Sequence, residues 1–372
     1  MEVRAAMLEG GKISSRQAIF LMVSMVLPTA FLFMAAAIAH LAKQDGWISL
    51  LLAVFAALLI AWLVVNLSLR FPGQTIFQFA EVILGRWPGK VVAFLYIWWL
   101  IHMNAEILRQ FGSFMVSAFM PETPIIVFEI LVTVIAAYAV RNGLEVFTRV
   151  NEILLPIILA MVFIVNILLV PELNLKRLLP VYIDNGAVPI IKGAIMPSVW
   201  FGEIVVMAVL IPYLNKAKEA YRVAASATLI TGSILIFSYV NSMALYGPEA
   251  ADGWIFPSLN KVRIVNIANF LERLEALIMF VWVAGGMVKI SIFYWAAVLG
   301  SAQWLELKDY KPLVLPVGVI ILALSIMAHE SILGLYTFLA TSALPFWIVF
   351  QACIPLLLLI AAMLRGPRKT RH

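Results

Sequence analysis

Cysteine is almost absent. A single Cys353 among 372 residues excludes any disulfide within the chain and any cysteine-based metal site. Four histidines, with no HxxxH or HxxE spacing, leave little for zinc, so no metal and no cofactor are expected. Charge is scarce as well, at 12% of residues against about 25% in soluble domains. There is no GxSxG elbow, Walker loop, HExxH helix or Cys–His pairing, and no polar segment long enough to fold as a catalytic domain. An enzyme is not expected.

What fills the chain instead is apolar. Hydrophobic residues make up 64% against roughly 45–50% in soluble domains, with 23 Phe, 16 Met and 11 Trp and a mean hydropathy of +1.02. The solvent for most of this chain is lipid. Its apolar segments are long continuous runs rather than ten-residue alternations, which excludes a β-barrel. A hydrocarbon core roughly 30 Å thick takes about 20 residues of helix. Ten runs of that kind stand at 15–39, 47–69, 89–119, 123–141, 146–170, 187–211, 217–246, 270–300, 313–329 and 334–364. The sequence predicts an all-α integral membrane protein, one membrane domain over 1–372. The first run is too long for a signal-peptide core and no small-residue cleavage site follows it, so it is expected to remain as a span.

The net charge of +6 sorts by side. With the tails 1–14 and 365–372 in the cytoplasm, ten spans put 17 Lys and Arg on the inside. Only five fall outside: Lys43, Lys176, Arg177, Lys261 and Arg263. The asymmetry follows the positive-inside rule. The basic excess is membrane orientation and not a nucleic-acid footprint.

Prolines mark an internal repeat. Pro28 falls in the first span and Pro197 in the sixth, 169 residues apart, and the spans that follow begin 170 apart, near 47 and 217. Two five-helix units, about 15–170 and about 187–364, would each open with an interrupted helix. Five is odd, so the second unit enters from the opposite side, the inverted repeat of secondary transporters. Lipid cannot pair freed backbone groups, so a break in a span marks a polar cavity or a ligand. A half-helix N-terminus attracts a carboxylate and exposed carbonyls attract an ammonium. The expected ligand-binding residues are therefore Pro28, Thr29 and Ala30 in the first span. In the sixth they are Met196, Pro197, Ser198, Trp200, Phe201, Gly202 and Glu203. Glu203 is deep enough to ligand an amine, carry a proton, or cap N–H groups of its own helix.

Two polar stripes could line that pocket or pack helices. His102, Glu106, Arg109 and Ser113 fall within about 40° of one another on the third span, and Glu106 and Arg109 can pair across a turn. Glu275, Trp282 and Lys289 recur at heptad steps on the eighth, together with Glu272. Gly285-Gly286 beside them suits close helix approach. Glu129 and Glu152 lie near span ends and are expected to reach the interface. The segment 247–269 is long enough for a short amphipathic lid or a partner contact.

Several segments carry a resemblance. Lys12-Ile13-Ser14-Ser15-Arg16-Gln17 opens the chain, and Leu179-Pro180-Val181 is followed by Gly186, Pro189 and Lys192-Gly193-Ala194. Phe201-Gly202-Glu203 and Arg273-Leu274-Glu275-Ala276-Leu277, running on to Trp282 and Lys289-Ile290-Ser291, complete the set. In this order the chain resembles the B subunits of GerA-type spore germinant receptors over nearly its whole length. The resemblance implies a bundle of the amino acid–polyamine–organocation superfamily in the spore inner membrane, binding a small nutrient such as an amino acid. It also implies two partners, a membrane A subunit and a C-subunit lipoprotein. Transporters of that superfamily carry glycines at the first-helix break, where this chain reads Leu27-Pro28-Thr29-Ala30. The competing function is a proton-coupled amino-acid transporter with Glu203 or Glu106 as proton carrier.

Overall fold

A computed structural model describes residues 8–254, 256–263 and 275–365. The outermost tails, together with Glu272 and Arg273, lie outside the described residues. The helices run α1 (Ser15–Ala42), α2 (Gly46–Leu69), α3 (Ile76–Leu84), α4 (Arg86–Ala118), α5 (Ile125–Asn142), α6 (Leu144–Leu168), α7 (Ala187–Phe201), α8 (Met207–Leu210), α9 (Ala220–Asp252), α10 (Pro257–Arg263), α11 (Glu275–Trp304), α12 (Val314–Ala328), α13 (Ile332–Ala340), α14 (Ala343–Ile348) and α15 (Ile354–Leu364). Extended pairing among the described residues is confined to a parallel bridge between Ile13 and Leu214. Nine stretches of the described residues are apolar and long enough to cross a bilayer, and the first, Ser15–Leu69, takes in both α1 and α2 over 55 residues. That length is more than twice the ~20 residues of one crossing.

Two helices form the centre. Every residue of α1 from Leu21 to Ala35 is buried, and so is every residue of α11 from Val288 to Gly300. A helix that is apolar all round belongs in an interior. α1 packs on α7, α9, α10, α11 and α6, and α11 also packs on α4 and α5. The outer helices are one-sided. Ile130, Leu131, Val134 and Ile135 of α5, Leu315 and Val319 of α12, and Leu356 and Leu357 of α15 are exposed, as the lipid-facing side of a membrane bundle should be.

The prolines depart from the expectation. α1 stays helical through Pro28. Its ring removes only the N–H that would reach the Ser24 carbonyl, and Gly285 of α11 lies against it, so that a Cβ added there would sit 2.4 Å from Pro28 Cγ. The glycine pair is thus a packing notch. In the sixth span Pro197 also lies inside helix. The chain loosens further on, into 3₁₀ geometry at Gly202–Val206, where a glycine precedes the β-branched run Ile204-Val205-Val206, all poor helix formers. The last span is shorter than its apolar run. α13 stops at Thr341, because Pro345 has no N–H to give the Thr341 carbonyl. The continuous stretch is Ala343–Leu364, and it contains a π-helical turn at Val349–Cys353.

One end of the bundle is closed by the N-terminal segment. Ile13 N–H donates to the Tyr213 carbonyl at 2.9 Å and its carbonyl accepts from Asn215 N–H at 2.9 Å. The Glu9 carboxylate accepts from Tyr310 Oη at 2.9 Å, from the Leu144 N–H at 3.2 Å and from Trp295 Nε1 at 3.4 Å. At the other end α10 covers α1. Ser258 Oγ donates to the Phe31 carbonyl, and Lys261 Nζ donates to Asn166 Oδ1 at 2.6 Å and to the Ser238 carbonyl at 3.2 Å. Burial pushes the Lys261 amine down to about 7. The segment expected as a lid therefore carries a seated helix.

Candidate functional site

Where α1, the 3₁₀ turn of the sixth span and α11 meet, three polar side chains converge. Lys289 Nζ donates to Glu203 Oε1 at 2.8 Å and to Thr29 Oγ1 at 2.7 Å. Thr29 Oγ1 reaches back to the Val26 carbonyl at 3.4 Å. Thr29 and Lys289 are fully buried and Glu203 is 1% exposed. A carboxylate and an ammonium this deep are each costly alone; paired, each offsets much of the other's desolvation. One oxygen is left over, since Glu203 Oε2 has no hydrogen-bond partner among the described residues. Lys289 Nζ also lies 6.0 Å from the Phe293 ring centroid.

Apolar walls close the site on both sides. Towards α10, Trp282 meets Phe33 at 5.6 Å, Phe114 at 5.5 Å and Phe111 at 6.4 Å between ring centroids, and Phe256 meets Phe33 at 5.6 Å. Towards the Glu9 end, Trp295 meets Tyr213 at 5.4 Å. Beside α1 lies a cavity of about 10 Å³ lined by Ala30, Phe31, Ser238 and Tyr239 among others, the room of about one water molecule. The arrangement is an occluded one.

The expected site residues divide. Thr29, Glu203 and Lys289 come together, although heptad spacing assigns Lys289 only to a stripe. Pro28 packs on Gly285, and Ala30 lines the small cavity. Trp200, Phe201 and Gly202 are buried beside Glu203. Met196 and Ser198 are half-buried, and the Ser198 hydroxyl is spent on the Ala194 carbonyl at 2.7 Å.

The third-span stripe belongs to a separate network that ties helices together. Glu106 Oε2 and His329 Nε2 share a hydrogen bond at 2.8 Å. His102 Nε2 stands 3.6 Å from Glu106 Oε1. Arg109 reaches the His329 carbonyl with Nη2 at 2.6 Å and Glu129 Oε1 with Nη1 at 3.7 Å, and Ser325 Oγ donates to Glu129 Oε2 at 3.1 Å. Arg109 thus forms an ion pair with Glu129 on the neighbouring helix, where an i,i+3 pair with Glu106 was expected. Glu129, expected at the interface, is fully buried. Glu275 pairs with Arg263 at 2.6 Å near the surface, away from the central pair, while Trp282 sits in the aromatic wall.

Gln351 is a polar residue that sequence reasoning passes over. It lies in the π-helical turn, 1% exposed, so close to Gly202 that a Cβ there would meet its Oε1 at 2.1 Å. Its Nε2 has no partner among the described residues. A π-turn is a frequent mark of a functional site, but hydrogen-bond geometry of that kind has no sequence signature. A lone glutamine in an apolar run is the available sign.

The helical membrane bundle that encloses this charged pair has a transporter-like fold. Solved structures agree in fold. MhsT in complex with L-phenylalanine aligns with a TM-score of 0.68 and 14% identity over 94% of this chain and 98% of its own. A Na⁺-coupled sialic acid symporter aligns with a TM-score of 0.68 and 11% identity, over 95% and 79%. Sequence similarity narrows the class further. The chain belongs to the spore germination protein family, whose model (Spore_permease) matches residues 12–332. It is similar to spore germination protein KB of Bacillus subtilis, 27% identical over 369 residues and 98% of each chain. Spore germination protein XB of Bacillus anthracis is 25% identical over 253 residues, 67% of this chain and 69% of its own. The chain is a multi-pass membrane protein with a transporter-like fold, in a family of germination proteins.

Proposed function

We propose that this chain is the germinant-binding membrane subunit of a spore germination receptor, and that it holds a small nutrient such as an amino acid at the Thr29–Glu203–Lys289 centre. The observation that carries the reading is the unpartnered Glu203 Oε2, buried at the loosened turn of the sixth span. It is an acceptor with capacity for an ammonium. Trp200 and Phe201 would supply apolar contact, and Thr29 a hydroxyl. Binding of a zwitterion would compete with the internal ion pair and so bias a closed–open equilibrium, since a ligand shifts such an equilibrium only by its differential affinity for the two states.

The reading includes a non-catalytic role, one domain of two inverted repeats (about 15–170 and 187–364), ten spans, and both termini in the cytoplasm. In it the chain sits in the spore inner membrane beside an A subunit and a C-subunit lipoprotein that convert binding into ion release. Membership in a germination family supports it, and so does the likeness of fold to proteins solved with small molecules. Proton-coupled amino-acid transport is the second reading, favoured by the same buried carboxylate. Flux separates the two: counterflow of a labelled amino acid in reconstituted vesicles favours transport, and binding without flux favours the receptor.

In spores matched for receptor level in the membrane fraction, Glu203→Gln is expected to shift the germinant dose–response to at least tenfold higher concentration, about 1.4 kcal/mol. An unchanged dose–response at equal receptor level would sink the assignment.

A further inference from the structure

We propose that the Glu203 carboxylate and the Thr29 hydroxyl form a latent site for a small monovalent cation, filled in the closed state by the tethered ammonium of Lys289. The inference rests on the ion pair alone and does not depend on the ligand reading.

The ligand set suits a cation. It comprises one anionic oxygen and one hydroxyl oxygen at 2.8 and 2.7 Å from the nitrogen, spacings that ammonium and potassium share. The second carboxylate oxygen is buried and unpartnered, so a free ion could take both oxygens where the lysine takes one. The Phe293 ring stands beside the charge, and an aromatic face attracts any such cation. The other buried cations of the described residues are committed elsewhere, Arg109 to Glu129 and the His329 carbonyl and Lys261 to Asn166. None of those contacts involves Glu203.

Physical necessity makes the site latent rather than merely conceivable. Without Lys289, Glu203 is an unpaired carboxylate in a fully buried position. It must then take up a proton, recruit a cation, or open the structure to water. Which of these happens depends on room. Lys289→Ala removes the ammonium and most of its stem, leaving space against two ready ligands in a close-packed interior. Tethering the charge means that the closed state needs no cation from solution, so that closure is independent of the ionic composition outside.

The test is thermal unfolding of purified full-length protein at pH 8 and constant ionic strength, in choline, sodium, potassium or ammonium chloride, with no germinant present. For Lys289→Ala the midpoint is expected to rise by several degrees, saturably, in at least one of the three small-cation salts relative to choline. Wild type and the double variant Lys289→Ala/Glu203→Gln, which has the room but not the charge, should not respond. A folded Lys289→Ala that is indifferent to the cation would overturn the proposal, because the carboxylate has then taken a proton or been reached by water. An equal response in wild type or in the double variant would overturn it too. If Lys289→Ala fails to fold in every salt, Lys289→Ser, which adds a hydroxyl ligand, carries the same comparison. Failure of both while the double variant folds would also contradict the proposal.

Discussion

Lys289→Met is expected to lower the stability of the closed protein by about 3–5 kcal/mol, the usual cost of breaking a buried ion pair from one side. Methionine fills the volume of the lysine stem and removes its charge. What it leaves is Glu203, 1% exposed, with neither oxygen paired. The loss comes mostly from that stranded carboxylate, and adding Glu203→Gln should recover much of it. An amide has no charge to desolvate and can still accept and donate locally. Denaturation of the two singles and the double, read by a fluorescence-detected unfolding curve, gives the coupling directly. A double variant no more stable than Lys289→Met would mean that the pair is not the source of the loss.

The second large effect is expected at Arg109→Leu, again about 3–5 kcal/mol. One guanidinium holds two things: the buried carboxylate of Glu129 at 3.7 Å and the backbone carbonyl of His329 at 2.6 Å. That carbonyl lies just past the end of α12, so loss of the guanidinium frees the junction with α13 as well. Adding Glu129→Gln to Arg109→Leu should rescue only part of the loss, because it relieves the stranded charge and leaves the His329 carbonyl unpaired. Complete rescue by Glu129→Gln would show that the α12 junction contributes nothing. Arg109→Leu should leave the affinity of a ligand held at Lys289 unchanged wherever the variant is folded, since the two networks share no residue among their described contacts.

The sequence carried the architecture further than the site. Long apolar runs and the Gly285-Gly286 notch are legible because each follows from a one-dimensional rule: helix length against bilayer thickness, small residues against close approach. Pro28 and Pro197 read as breaks in the sequence and are instead accommodated inside helices. In the first, only the Ser24 carbonyl loses its helical donor, and that residue's hydroxyl is already bonded to Asn151 at 2.7 Å. The real loosening starts at Gly202, where a glycine and a β-branched run weaken the helix together. Glu203 stands out in the sequence as an acid in an apolar span. Its partner does not, because Lys289 lies 86 positions away in the chain and heptad spacing relates it only to its own helix. The Glu106–His329 bond joins residues 223 positions apart and is hidden for the same reason.

The central claim is that a small nutrient binds at the Thr29–Glu203–Lys289 centre. Its most direct test is a thermal-shift screen of the purified full-length protein against single amino acids, sugars and nucleosides, repeated with Thr29→Val and Glu203→Gln. A saturable stabilisation by at least one compound, weakened tenfold or more in both folded variants, is the predicted result. A compound that stabilises wild type and both variants with equal affinity would place the binding site elsewhere and contradict the account.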